Sequence, residues 1–291
     1  MADTDLIARL YPRTDKFGHA TYAIEHSSQC QPARSSRTTD LDAKWNRGDR
    51  ESTEPPEVSQ GDEDLPCIEL RFSSPPPDSR GFTCGSSDTC CFHIPLQGVS
   101  RLHCALTYKQ INGHYYLIVR DLNSSYGTKV TYARKGDELR RKFDWIIGGD
   151  EFLKTTKPII IRVARHLNFR VVVANQDITS PTYVTNVERF LQGSADTDAL
   201  LGGLEIQSGL PTILNSLTQS PTAKPIFIDR GLIGAGSFGI VTRLWNVSTG
   251  EEYACKRPAR YHYYNKENWE KEIDLMRRVK HVSELGWLFT E

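Results

Sequence analysis

Six short runs rich in β-branched and aromatic residues follow one another between residues 67 and 174, and no helical pattern separates them. The runs are CIELRF (67–72), HCALTY (103–108), YYLIVRD (115–121), TKVTYA (128–133), PIIIRV (158–163) and FRVVVA (169–174). Gly, Asn, Ser or Pro lies between them, as is typical of strands joined by turns. Asn112-Gly113 stands between two of the runs and is a strong hairpin signal. Consecutive strands without helices predict an all-β sandwich here.

The chain on either side of these runs has a different character. Residues 27–64 are rich in Ser, Pro, Gly and charge, so they cannot bury enough surface to offset chain entropy. A weak helical pattern around Leu6–Leu10 marks a candidate docking segment. Two more weak helical patterns, TYVTNVERFLQG and DTDALLGGLEI, follow the β runs. We expect a mostly disordered region over 1–64, the sandwich over 65–174, a linker with short helices over 175–225 and a second domain over 226–291.

Composition excludes several classes of protein. The 291 residues contain no apolar run near the ~18 residues of a membrane helix, and the acidic start Met1–Asp5 does not resemble a signal peptide. Seven cysteines, an odd number at scattered spacings, argue against a disulfide scaffold. We therefore expect an intracellular protein, in the nucleus or cytoplasm, without a membrane partner.

Charge is unevenly distributed, although the formal net charge is zero. Residues 65–175 contain 16 Lys and Arg against 9 Asp and Glu. Such a basic block favours an acidic partner, either a phosphorylated peptide or a nucleic acid. A solvated basic face without a partner also explains it, and charge alone does not decide.

A glycine-rich stretch marks the C-terminal segment: Gly234-Ala235-Gly236-Ser237-Phe238-Gly239-Ile240-Val241. In a dinucleotide-binding fold a helix would follow the glycines at once. Here a β-rich run, a turn and a second β run follow, so we predict a β-hairpin. Glycines in such a loop let backbone N–H groups approach a phosphate.

Lys256 ends the second β run, and a helical pattern occupies residues 267–280. One apolar face of that pattern is formed by Trp269, Ile273, Met276 and Val279. Glu272 falls on the same face, where an acid needs a partner, and Lys256 is the obvious candidate. Such a pair would hold an ammonium group against nucleotide phosphates.

This segment resembles the N-terminal lobe of a eukaryotic protein kinase. The matching positions are Gly234, Gly236, Gly239, Val241, Ala254, Lys256 and Glu272. The resemblance implies a partial α+β lobe, with an antiparallel sheet and one helix, that binds ATP, and Mg²⁺ in a complete kinase. It implies an ATP site made of Ile233, Gly234, Ala235, Gly236, Ser237, Phe238, Gly239, Val241, Ala254, Lys256 and Glu272.

The sequence contains no D-F-G and no A-P-E. Arg120-Asp121-Leu122 looks like part of a catalytic loop, but it precedes the glycines and Val119 stands where the motif has His. We therefore expect no catalytic residues in this chain and a C-terminal truncation of a longer kinase.

Two clusters of small polar residues lie between the β runs, at 98–103 (GVSRLH) and 121–128 (DLNSSYGT). Hydroxyl and backbone N–H groups at one end of a sandwich can bind a phosphate, and nearby Arg and Lys can add charge. The region resembles a forkhead-associated (FHA) domain, a β-sandwich of about 11 strands that binds phosphothreonine peptides. The matching residues are Gly85, Ser100, His103, Asp121, Leu122, Ser124, Gly127 and Thr128.

The FHA resemblance implies a phosphopeptide site made of Ser86, Ser100, Arg101, Ser125 and Tyr126. It implies structural roles for Gly85, His103, Gly127 and Thr128, with His103 bracing the loops from inside. Two positions depart from the family pattern: Ser86 replaces an Arg that contacts phosphate, and Tyr126 replaces an Asn that holds the peptide backbone.

Two other signals favour ordinary structural explanations. A zinc site could be built from Cys84, Cys90, Cys91, His93, His103 and Cys104, but no C-x-x-C pair exists and buried thiols explain the pattern better. Tyr261–Tyr264 could stack on nucleic-acid bases, but a linker between the second β run and the helical pattern explains these residues better. We therefore expect neither a metal site nor a direct contact with nucleic acid.

Two functional hypotheses remain. The first is a phosphothreonine-peptide reader fused to the ATP-binding lobe of a Ser/Thr kinase, as in checkpoint-type and especially fungal FHA-containing kinases. The second is a phosphopeptide-binding adaptor without catalysis. Both imply a threonine-phosphorylated protein or peptide as partner.

Overall fold

The computed structural model describes residues 3–13, 18–27, 30–31, 66–193, 224–236, 239–257 and 286–289, with single positions 267, 270, 271 and 274. Within these residues the chain is mostly β-sheet. No helix in the described part of the chain is long and apolar enough to cross a membrane.

Two sheets, in which almost all neighbouring strands are antiparallel, form a sandwich. The first has the strand order β2-β3-β1-β12-β11-β8-β9. Its strands are β1 (Leu6–Pro12), β2 (Cys30–Gln31), β3 (Cys67–Arg71), β8 (Thr128–Tyr132), β9 (Leu139–Arg140), β11 (Ile159–Ala164) and β12 (Leu167–Val173). The second has the order β10-β7-β6-β4-β5. Its strands are β4 (Phe82–Gly85), β5 (Phe92–His93), β6 (Cys104–Ile111), β7 (His114–Asp121) and β10 (Asp144–Gly148).

The six predicted strand runs are confirmed as β3, β6, β7, β8, β11 and β12. The predicted hairpin joins β6 to β7, with Ile111 paired to His114. Asn112 and Gly113 have φ values of 50° and 84°, the positive pair that a two-residue hairpin with the right twist requires. The turn dipeptide therefore set the register of the two longest strands of the sandwich.

The helical interpretation of Leu6–Leu10 is wrong, because this segment is strand β1. It pairs antiparallel with β12 on one side and with β3 on the other. A bulge between Leu6 and Ala8 disturbs the alternation that identifies a strand in sequence. Arg9 faces Glu69 across the pair and donates to it at 2.8 Å, which gives a charged residue a partner. A fragment of residues 65–174 would lack this central strand, which counts against independent folding of that segment.

The core between the two sheets is dense and largely aromatic and β-branched. Its largest fully buried side chains include Trp145, Tyr132, Phe82, Phe143 and Ile118. Such side chains contribute about 1.5–3 kcal/mol each when removed from water. This packing fixes the ends of the strands from which the loops of the site emerge.

Three helices belong to the described sandwich: α1 (His19–Glu25), α2 (Glu151–Thr155) and α3 (Pro181–Gln192). The first helical pattern after the β runs is confirmed as α3. It buries Tyr183, Val187 and Phe190 against the sandwich, and the Tyr183 hydroxyl donates to the Tyr115 carbonyl at 2.9 Å. The second pattern, at 196–206, lies outside the described residues.

A third sheet has the order β13-β14-β15-β16, with β13 (Phe227–Gly236), β14 (Gly239–Asn246), β15 (Glu252–Arg257) and β16 (Gly286–Phe289). The first three strands are antiparallel, as predicted. The expectation of an entirely antiparallel sheet is wrong, because β16 runs parallel to β15. Parallel neighbours need a crossover of about a dozen residues or more, and the connection between these strands exceeds that length. Within it the described positions 267, 270, 271 and 274 are helical.

The third sheet packs on the sandwich through Trp245, which is fully buried. Its ring meets Tyr132 edge to face at 5.7 Å, and its Nε1 donates to an Asp150 carboxylate oxygen at 3.1 Å. The Ile146 amide of β10 donates to the Val247 carbonyl at 2.8 Å. The third sheet and the sandwich therefore share one continuous hydrophobic core.

Candidate phosphopeptide site and glycine-rich hairpin

Buried His103 connects the two polar loops, 98–103 and 121–128. The Ser100 amide donates to its Nδ1 at 3.1 Å, and Nε2 lies 3.2 Å from the Gly127 carbonyl oxygen. Because an amide N–H can only donate and a carbonyl can only accept, the ring is neutral with its hydrogen on Nε2. Burial lowers the pKa of His103 and outweighs the opposing effect of the Gly127 carbonyl.

Asp121 organises the second loop. One carboxylate oxygen accepts from the amides of Ser124 and Lys142 at 3.1 and 3.0 Å. The other accepts from the hydroxyls of Ser124 and Thr128 at 2.6 and 2.7 Å. The Ser124 hydroxyl in turn accepts from the Gly127 amide at 2.9 Å. With the carboxylate only 3% exposed, these donors replace its hydration and fix the loop.

Gly85 allows the end of β4 to approach the first loop closely. A Cβ at this position would lie 2.1 Å from the Arg101 carbonyl oxygen, closer than any real contact. The adjacent amides of Ser86 and Ser87 donate to the carbonyls of Ser100 and Arg101 at 2.9 and 3.1 Å. The segment after β4 is thus joined to the loop that carries Ser100.

The predicted phosphopeptide residues meet at this end of the sandwich. The Ser100 hydroxyl accepts from the Ser125 amide at 2.8 Å, so it bridges both loops and keeps its own hydrogen for donation. Arg101 and Ser125 are exposed, and Tyr126 and Ser86 are half-buried. The arrangement offers hydroxyl donors and a cationic side chain to solvent, as a bound phosphate requires.

Arg141 belongs to this surface and was not predicted from the sequence. Its guanidinium donates to the Ser125 carbonyl oxygen, and its side chain is exposed. The basic run Arg140-Arg141-Lys142 is visible in the sequence, but its position beside the loops follows only from the fold.

The glycine-rich hairpin forms a second candidate site, and Gly239 is its tightest point. Gly236 pairs with Gly239 where β13 returns as β14. Gly239 has a φ of 147°, and a Cβ there would lie 2.6 Å from the Arg257 carbonyl oxygen and 3.3 Å from the Lys256 Cε. Lys256 therefore lies directly against the hairpin, with Val241 as its cross-strand partner.

The other predicted nucleotide residues are distributed as follows. Ile233 on β13 is 48% exposed, whereas Ala254 on β15 is buried, and β14 lies between these two strands. Gly234 pairs with Val241, and Ala235 with Ile240. Ser237, Phe238 and Glu272 lie outside the described residues, so the expected Lys256–Glu272 pair does too.

The thiols considered as zinc ligands lie apart along the chain, Cys84 on β4, Cys104 on β6, and Cys90 and Cys91 between β4 and β5. Cys84 and Cys104 face each other on β4 and β6 in the core, where a hydrogen bond between them and burial raise the pKa of Cys84. Cys90 Sγ donates to the Arg101 carbonyl at 3.2 Å. Among the described residues, no group of three or more His, Cys, Asp or Glu side chains is placed to hold a metal ion.

Residues 82–142 match the family model of the FHA domain. This stretch contains both polar loops, so the FHA resemblance is confirmed, and the chain contains an FHA domain. A search of the curated proteins finds no match.

One solved structure that is similar to this chain is a crystal structure of Rad53 1–466 in complex with AMP-PNP. The similarity has a TM-score of 0.36 and 12% sequence identity, over 97% of this chain and 52% of that chain. This chain thus spans about half the length of that one.

Proposed function

We propose that the two polar loops bind a threonine-phosphorylated protein or peptide. The observation that carries this proposal is the bridge from the Ser100 hydroxyl to the Ser125 amide, with Arg101 exposed beside it. A phosphate needs several donors held in place before it arrives, because ordering them on binding would cost affinity.

The buried supports provide that preorganisation. His103 holds the Ser100 amide, and Asp121 holds the loop that carries Ser125 through its bonds to Ser124. The Ser100 hydroxyl then directs its hydrogen outward to a phosphate oxygen. Hydrogen bonds to a charged group contribute about 1.5–3 kcal/mol each, so two or three suffice for weak, phosphate-dependent binding.

The half-buried Ser86 bears on the strength of this binding. It lies where the family pattern has an Arg, and its amide is already used by the Ser100 carbonyl. Without that guanidinium we expect affinity about 30-fold below that of a site with a bidentate Arg, on the basis of ~2 kcal/mol for the lost contact.

The test is binding of the 291-residue chain to a fluorescent peptide mixture with a fixed phosphothreonine and randomised flanking positions. Wild type should bind the phosphorylated mixture and ignore the same mixture with unmodified Thr. Ser100→Ala should lose most of the binding. Ser79→Ala is the matched control, because exposed Ser79 precedes β4 at the end opposite Gly85. Equal binding of both mixtures would refute the proposal.

The third sheet supports a second function, an ATP-binding lobe of the Ser/Thr kinase type. Its support is the position of Lys256 against Gly239, which would place an ammonium group below a loop able to cover phosphates. Mg²⁺ would enter with the nucleotide in a complete kinase. The free thiols of six described cysteines fit the nucleus or cytoplasm as the place where such a protein works.

The alternative is a phosphopeptide-binding adaptor without catalysis, which the missing D-F-G favours for this chain. A fluorescent ATP analogue distinguishes the two. Lys256-dependent binding of the analogue supports the nucleotide lobe, whereas unchanged fluorescence with wild type and Lys256→Ala supports the adaptor.

A further inference from the structure

The segment 140–143 is attached to the second polar loop on both sides of Arg141. Before it, Arg140 of β9 pairs with Thr128 of β8. After it, the Lys142 amide donates to the Asp121 carboxylate at 3.0 Å, and the Phe143 carbonyl accepts from the Asp121 amide at 3.0 Å. The backbone of Arg141 therefore has a fixed place beside the loop.

The turn that presents Arg141 is unfavourable for its sequence. Lys142 has a φ of 49°, in the left-handed region that residues with a Cβ rarely occupy. Such a conformation persists only where the surrounding contacts determine it, here the bonds to Asp121. The turn directs Arg141 to the exposed side of the loop, where its guanidinium reaches the Ser125 carbonyl.

Arg141 also retains capacity for a ligand. A guanidinium has five N–H donors, and the bond to Ser125 uses one of them. No ion pair among the described residues involves Arg141, whereas its neighbour Arg140 is paired with Glu138. Within the described part of the chain, Arg141 is thus a cation held at the site without a carboxylate to neutralise it.

We infer that Arg141 supplies the guanidinium contact to the phosphate that Ser86 cannot supply, so that residues 140–143 form a third ligand-binding segment. This inference rests on the proposed phosphopeptide function. The Ser125 residue links the two groups, because its amide binds the Ser100 hydroxyl and its carbonyl binds Arg141. A phosphate on the Ser100 hydroxyl would therefore lie next to a fork of charged donors.

The experiment compares the affinities of variants of the 291-residue chain for the same phosphothreonine peptide mixture. Arg141→Ala should weaken binding about 30-fold, from the loss of a charged contact. Arg141→Gln separates a ligand contact from a merely structural one, because Gln keeps an amide donor for the Ser125 carbonyl but has no charge. We expect Arg141→Gln to lose as much affinity as Arg141→Ala, with an unchanged melting temperature.

Two further variants complete the test. Arg134→Gln is the matched control, because exposed Arg134 lies at the far end of the β8–β9 hairpin, and its affinity should equal that of wild type. Adding Ser86→Arg to Arg141→Ala should restore binding. Wild-type affinity in Arg141→Gln would overturn the inference while the proposed function stands. No binding by wild type would overturn both.

Discussion

Replacing Asp121 tests how much of the FHA domain depends on one buried carboxylate. Its oxygens accept four hydrogen bonds, two from amides and two from hydroxyls. Asp121→Ala leaves the buried Ser124 amide and the part-buried Lys142 amide without that acceptor, while the hydroxyls can rotate. Each unsatisfied buried amide costs about 1–3 kcal/mol, and the lost charged bonds to hydroxyl add to this. We expect the free energy of unfolding to fall by about 4 kcal/mol.

Asp121→Asn gives a graded comparison in the same space. Its amide oxygen can accept from Ser124 and Lys142, and its NH₂ can donate to the hydroxyl oxygens of Ser124 and Thr128. Four hydrogen bonds can still form, but the charge is lost and both hydroxyls must turn their hydrogens elsewhere, so we expect a fall of about 1–2 kcal/mol. Asp137→Ala is the control, because this carboxylate is 71% exposed and should cost no more than about 0.5 kcal/mol.

The assay is urea unfolding of the full chain, with free energies extrapolated linearly to water. The order should be Asp137→Ala close to wild type, then Asp121→Asn, then Asp121→Ala. If the free energy of unfolding of Asp121→Ala lies within about 1 kcal/mol of the wild-type value, the hydrogen bonds of this carboxylate do not stabilise the fold as argued.

Three further predictions concern the core, pH and catalysis. Trp245→Ala should lower the free energy of unfolding by about 3–5 kcal/mol in the same assay, because the loss of this ring leaves a cavity in the core between the third sheet and the sandwich. The control Tyr22→Ala removes an exposed side chain and should leave the free energy of unfolding unchanged. Burial lowers the pKa of the His103 imidazole from 6.5, so its contribution to the free energy of unfolding should be fully present above pH 6.5 and be lost as the pH falls through the folded pKa. His103→Gln should abolish this contribution to the pH dependence of the free energy of unfolding. An unchanged pH dependence in this variant would contradict the burial argument. Wild type and Lys256→Ala should both show no labelling from radioactive ATP, because the sequence holds no D-F-G to bind Mg²⁺; labelling that depends on Lys256 would contradict this.

Local sequence patterns predict the strands well where the turn chemistry is strong. Asn112-Gly113 and the β-branched runs beside it agree with each other, so β6 and β7 could be placed from sequence alone. Strand β1 could not, because a bulge interrupts its alternation and its partners β3 and β12 are far away in the chain. The parallel pairing of β16 is likewise a long-range property that no local pattern encodes.

The site shows the same division between local and long-range information. Ser100 and Ser125 lie in recognisable loop motifs, and the sequence places both in the candidate site. Arg141 joins them only because β9 pairs with β8 and the Lys142 amide binds Asp121. A basic run after a phosphate-binding loop motif is a weak signal by itself, since most such runs are solvated faces.

The most direct measurement of the central claim is an amide NMR titration of the isotope-labelled 291-residue chain with the phosphothreonine peptide mixture. The amides of Ser100 and Ser125 lie in the two loops, so both should shift with phosphorylated peptide and stay unchanged with its unmodified counterpart. The amide of Ser79, at the opposite end of the sandwich, should not move. Shifts at Ser79 alone, or none at Ser100 and Ser125 at saturating peptide, would contradict the assignment of phosphopeptide binding to these loops.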